Sequence, residues 1–263
     1  MSILRQPAVA GSFYPADPKE LEASVNGYLE EVGNQRAQAP PKALIVPHAG
    51  YVYSGPVAAS AYAALRDLRS TIERVILLGP SHRFPLIGLA ASEADAFLTP
   101  LGSVPVDPES RQRVLQLPQV GLSESAHTME HSLEVQLPFL QRVLNRFSLA
   151  PFAVGDATPE EVAEVLEALW GGRETLIVIS SDLSHYYDYE TARRLDAATT
   201  RAIEAGEYEA LGEGSACGRV AVRGLLKAAA HHDLRCETLD LRNSGDTAGS
   251  RSRVVGYGAY AFR

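Results

Sequence analysis

The chain is short of cysteine, has no surplus of basic residues and contains no long apolar run. Each shortage removes a class of function. Two cysteines, Cys217 and Cys236, cannot build a disulfide framework, and their spacing fits no zinc ribbon. Lys and Arg number 24 against 32 Asp and Glu, a formal charge of −8. That balance argues against a general nucleic-acid binder, which carries a basic face. No stretch reaches the roughly 18 apolar residues of a membrane span. The opening "MSILRQPAVAGSFYPAD" lacks the charged-then-apolar pattern of a secretory signal. The expectation is a cytoplasmic protein with reduced thiols and neither nucleic-acid nor membrane partners. "GYVYSG" lacks the Lys-Ser/Thr of a phosphate loop, and no Gly-x-Gly-x-x-Gly follows a strand. "SSDLSH" holds Ser, Asp and His but no Gly-x-Ser-x-Gly elbow, so a hydrolase reading rests on residue types alone.

What is present is a core. With 46% hydrophobic and 21% charged residues over 263 positions, the chain can fold without disulfides or structural metals. The runs "KALIVPH" (42–48), "RVILLGPSH" (74–82), "SLAPFAVG" (148–155) and "ETLIVISSD" (174–182) read as buried strands. Between them lie helical patterns. "DPKELEASVNGYLEEV" opens on a capping aspartate, and "GPVAASAYAAL" is small and apolar. "EHSLEVQLPFLQRVL" puts Leu133, Leu137 and Leu140 on one face, with Pro138 bending it. "TPEEVAEVLEALW" carries Thr158, Pro159 and Glu161 in capping-box register. Apolar strands separated by helices predict an α/β three-layer sandwich with a mixed, mostly parallel central sheet. The alternating "CETLDLR" and "RVVGYGAYAFR" add later antiparallel strands. One domain over 1–263 is expected, with "GNQRAQAPPK" (33–42) as a surface loop.

Open α/β sheets bind ligands beyond the carboxyl ends of their strands, and three predicted strands deliver a histidine there. "LIVPH" ends in His48, "ILLGPSH" in His82, and "IVISSDLSH" reaches Asp182 and His185. A single such histidine is an ordinary hydrogen-bonded loop residue; three at equivalent positions point to a shared site. Cys217, in "GSACGRVAV", precedes a predicted helix whose N-terminus favours the thiolate, the form that ligates metal. The competing reading is a small buried hydrophobe, and Cys236 takes that reading. His127 and His131 stand four apart in "HTMEHSLEVQ" without the His-Glu-x-x-His order of a metalloprotease. Glu130 and His131 are expected to line the crevice beside the ligands. His231 and His232 fall in a solvent-exposed turn.

Taken in order, "PHAGYVYSG", "LLGPSH", "TPLGSVPVD", "EHSLEVQLPFL", "SSDLSHY", "ACGRVAV" and "VVGYGAYAF" resemble the Memo family. Its bacterial and archaeal members are called AmmeMemoRadiSam system protein B. The resemblance implies a fold like that of class III extradiol dioxygenases, where two histidines and a carboxylate hold Fe(II). It carries the metal-ligand role to His48, His82 and Cys217. It gives His185 the acid–base place, oriented by Asp182, with Tyr53, Glu130 and His131 shaping the pocket. A thiolate replaces the carboxylate, which makes Cu or Zn alternatives to Fe(II) and exposes the sulfur to oxidation. The function implied is a non-haem Fe(II)-dependent redox enzyme acting on a small molecule of unknown identity. A non-catalytic metal- or peptide-binding module in the same crevice is the alternative, since family members are linked to motility signalling and copper handling. Protein partners would come from the AmmeMemoRadiSam system.

Overall fold

Four runs of Val, Ile and Leu form adjacent parallel strands, in the spatial order Ala43–Val46, Thr175–Ser180, Arg74–Pro80 and Ser148–Val154. The computed structural model describes every residue except Met1 and 34–38. Half of the loop expected over 33–42, residues 34–38, therefore lies outside the described residues.

Successive residues of these strands enter opposite layers, as the pleat requires. Leu44, Val46, Val75, Leu77, Leu176 and Val178 join one apolar cluster. Ile45, Ile76, Leu78, Ile177 and Ile179 join the other. Helices Pro18–Glu31, Tyr51–Ala63 and Leu137–Val143 cover the first face. Helices Pro159–Leu169, Tyr189–Glu204 and Arg219–His231 cover the second. This is the three-layer α/β arrangement. Each side chain sealed between layers contributes about 1.5–3 kcal/mol by leaving water, so the sheet ends are held by a stiff platform.

The sheet is parallel at its centre and antiparallel towards its margins. Val254–Phe262 runs antiparallel to Ala43–Val46, Cys236–Asn243 and the short His185–Tyr187 strand. On the other side Leu89–Ala91 is antiparallel to Ser148–Val154. A separate small sheet joins Leu4–Arg5, Ala96–Thr99 and Gly102–Pro105.

Helix starts follow their caps. The Asp17 side chain accepts from the backbone N–H groups of Lys19 and Glu20. Thr158 and Glu161 form the reciprocal capping box. Two expectations change. The helix expected from Gly55 begins at Tyr51, so Tyr53 sits in its first turn and Pro56 inside it. "EHSLEVQLPFLQRVL" is not one bent helix: it holds a 3-10 turn at Glu134–Gln136 and an α-helix from Leu137 to Val143. Pro138 falls in the first turn, where its missing N–H costs nothing, so it marks a start rather than a kink.

Candidate metal centre

Three neighbouring parallel strands end side by side, and the residues just past them build the site. Ala43–Val46 leads to His48, Thr175–Ser180 to Asp182, and Arg74–Pro80 to His82. His48, His82, Asp182 and His185 line one cleft of about 620 Å³, together with Tyr53 and His131. Ligand nitrogens of His48, His82 and His131 lie within 4.8 Å of one another, so these three residues could hold a metal ion.

The tautomer of His48 follows from counting hydrogens. Its Nδ1 lies 2.9 Å from Ser180 Oγ. The single hydroxyl hydrogen of Ser180 goes to the Ser132 carbonyl at 2.6 Å. Gln136 Nε2 donates to the same oxygen at 2.7 Å, its amide orientation fixed by Tyr62 OH donating to Oε1. Ser180 can therefore only accept from His48, which puts the proton on Nδ1 and leaves the Nε2 lone pair free. Burial drives the pKa of His48 well below its ordinary value, and His82 and His131 add to the effect. The ring is held neutral, as a ligand must be.

His82 is fixed in the same sense. Its Nδ1 lies 2.9 Å from Glu130 Oε1. Glu130 also accepts from the backbone N–H groups of His82, His131 and Ser132. Burial alone would raise the pKa of this carboxyl, but the His82 contact and these amides bring it down to about 2. An ionised carboxylate can only accept, so Nδ1 of His82 carries the hydrogen and Nε2 is the free donor atom. A carboxylate behind a ligating imidazole is the usual orienting partner. His131 contacts the same Glu130 oxygen at 3.3 Å. Among the described residues its buried Nδ1 nonetheless has no hydrogen-bond partner, and burial lowers its pKa to about 4.

Glycine admits this layer. A Cβ on Gly79 would stand 2.7 Å from Ser132 Oγ, so only glycine lets the Glu130–Ser132 segment close on the strand end. Gly218 does the same for Cys217, because its Cβ would meet Ser180 and Ser181 at under 3 Å. Cys217 is thereby brought to 3.2 Å from His48 Nε2. Its sulfur accepts the Asp182 N–H at 3.2 Å. Burial, reinforced by Asp182, raises the thiol pKa, so without a cation the sulfur keeps its proton.

The structure gives Asp182 another task than the one expected. Its Oδ1 accepts the His48 backbone N–H at 2.7 Å, and burial raises its pKa to about 6. The His185 ring is oriented instead by the Leu183 carbonyl, 2.8 Å from Nδ1. That carbonyl can only accept, so His185 also presents Nε2. His127 does not share a face with His131: its Nε2 donates to the Ala90 carbonyl at 2.9 Å, deep in the protein. His231 and His232 are exposed and pair with Glu167.

Sequence reasoning missed part of the cleft wall. Phe13 packs on His131 with ring centroids 4.7 Å apart. It is held there by an N-terminal segment whose Ala8 and Val9 N–H groups, with Arg5 and Tyr14, converge on buried Glu134. Arg83, Tyr186 and Arg253 also line the cleft. Only neighbourhood to His82 and His185 could have flagged the first two.

A solved structure, the uncharacterized protein JW3007 from Escherichia coli K12, shares the fold at a TM-score of 0.53. It has 15% identity and the match covers 82% of this chain and 98% of that one. The "MEMO1 family protein" of Aquifex aeolicus is 38% identical over 265 residues, 97% of both chains. That of Archaeoglobus fulgidus is 36% identical over 274 residues, covering 99% of this chain and all of the relative. The model of the Memo-like protein family matches residues 5–261. Matched over nearly its full length by both the family model and these relatives, the chain belongs to the Memo family.

Proposed function

We propose that the chain is a metal-dependent redox enzyme in which His48, His82 and Cys217 hold Fe(II) at the floor of the cleft. The observation that carries this reading is the pair of imidazoles, each pinned at Nδ1 and each left with Nε2 as its free donor. Cys217 supports it through its sulfur, 3.2 Å from Nε2 of His48. Two imidazoles and a thiolate suit Fe(II), Cu or Zn. Bound there, the ion would supply Lewis acidity and, for iron or copper, one-electron chemistry. The protein's share is to exclude bulk water with Phe13 and Tyr53, and to hold a proton acceptor, His185 Nε2, on the same cleft. His131 stands over the site as a further nitrogen donor, and Asp182 fixes the backbone at His48.

The deciding experiment is anaerobic titration with Fe(II) and Zn(II) in buffers of different ionisation enthalpy at pH 8. Imidazoles with an ordinary pKa near 6.5 are neutral there, whereas a thiol ligand must release its proton. We expect binding with about one proton released, and loss of both affinity and release in Cys217→Ser. His131→Ala should retain both. Tight binding without proton release, lost in His131→Ala and kept in Cys217→Ser, would make the centre a three-histidine one. His185→Ala should leave metal uptake unchanged while abolishing turnover.

A further inference from the structure

The mouth of the cleft carries charge that the metal does not account for. Arg83 and Arg253 both line it and both are exposed. Among the described residues neither enters an ion pair; the paired cations are others. Among the described residues, Asp182, already buried and hydrogen-bonded to His48, is the one carboxylate that lines the cleft. Arg83 is close enough to His131 to help keep that ring neutral. In a chain of net charge −8, two unpaired guanidinium groups on one cleft form a local positive spot that draws anions.

The walls beside them are flat and apolar. Tyr186 has a φ of 64°, a left-handed conformation that a bulky side chain adopts only at a cost. It sits where the pairing register with Val254–Phe262 breaks between His185 and Tyr187. The residue is 64% exposed, and its ring lies 5.7 Å from that of His185 and 5.1 Å from the Arg253 guanidinium above it. Tyr53 lines the same cleft and is 40% exposed. Exposed rings beside unpaired arginines suit a ligand with an anionic end and a planar body, since Arg bonds carboxylates in a fork and tyrosine faces stack.

We infer that the cleft takes a small organic carboxylate with a planar apolar body, the carboxylate bound by Arg83 and Arg253 and the body lying against Tyr53 and Tyr186. This rests on the reading that the cleft above His48 and His82 is the ligand site, but its test needs no metal. Benzoate and its neutral twin benzamide are titrated into the metal-stripped full chain by ligand-detected NMR. Benzoate is expected to bind about tenfold more tightly, the usual worth of one charge-assisted contact. The exposed Arg83→Gln and Arg253→Gln variants should each weaken benzoate several-fold and leave benzamide unaffected. Tyr186→Gly, which relieves the strained φ, should weaken both. Equal affinities, no benzoate binding, or a double arginine variant that binds benzoate as well as the parent overturns the inference. Arginine-dependent benzoate binding in a chain that takes up no Fe(II) or Zn(II) would leave it standing and remove the metal-centre reading. Metal uptake without benzoate binding would do the reverse.

Discussion

Glu130 shows how much a single side chain organises here. Its two oxygens collect the His82 ring, the His82 amide and the amides of His131 and Ser132. It thereby fixes a tautomer and a loop at once. Glu130→Gln keeps the size and one acceptor oxygen but loses the charge, and its NH₂ group faces donors. Removing an orienting carboxylate of this kind costs about 10–100-fold in metal affinity, and that loss is expected in an anaerobic Zn(II) titration. An unchanged affinity would mean that Glu130 shapes the loop alone. Cys236→Ser serves as the control: Cys236 packs beside the helical layer away from the cleft, so metal uptake should be that of the parent.

At the scale of elements, helix Tyr189–Glu204 places a buried carboxyl against the last strand. Asp196 is 3% exposed, accepts the Ser184 N–H at 3.0 Å, and lies where a Cβ on Gly256 would stand at 2.0 Å. Burial raises its pKa from 3.8 to about 6. The folded protein therefore holds a proton that the unfolded chain has already lost between about pH 4 and pH 6. The contribution of Asp196 to stability therefore falls as pH rises through that window and levels off above it, opposite in sign to that of the buried neutral His48 and His131. Asp196→Asn keeps the acceptor oxygen and removes the ionisation. It should stabilise the protein on the order of 2 kcal/mol at pH 7 and by clearly less at pH 4.5, so that its difference from the parent in urea unfolding grows between the two pH values. A variant with the parent's slope would sink the assignment. The elements themselves were largely legible: the apolar strands and the capping signals at Asp17 and Thr158 lie where local pattern puts them. The break before Leu137 was not, because Pro138 reads alike as a kink or a first-turn residue. Within the site, His48, His82 and His185 were legible from strand ends. Glu130 was legible as a residue beside the ligands, but Ser180 and Gln136, which fix the tautomer of His48, were not, since they join segments distant in sequence. Nor was the left-handed Tyr186, because a tyrosine announces no such backbone.

The molecule as a whole closes its site from pieces far apart in sequence. Strand ends at His48, His82 and Asp182 and the N-terminal wall at Phe13 line one cleft, with the Glu130–Ser132 segment bonded behind His82 and the turn at Cys217 packed against Asp182 and His48. None of these donors is assembled in the unfolded chain, so an ion held there binds the native state alone and stabilises the entire fold. Linkage sets the size: at a free metal concentration of 100 Kd the gain is about 2.7 kcal/mol. For a chain of this length that corresponds to a rise in Tm of roughly 5–10 °C. Anaerobic calorimetry of the metal-stripped and Zn(II)-loaded protein is expected to show that shift. His48→Ala and His82→Ala should remove it while leaving the metal-free Tm within a few degrees, because both histidines stand beyond the strand ends and outside the two apolar clusters. The rise should shrink as pH is lowered, when protons compete for the imidazoles and the sulfur. A shift equal in the parent and in the His48→Ala, His82→Ala double variant would place the stabilising ion elsewhere and take the metal centre out of this cleft.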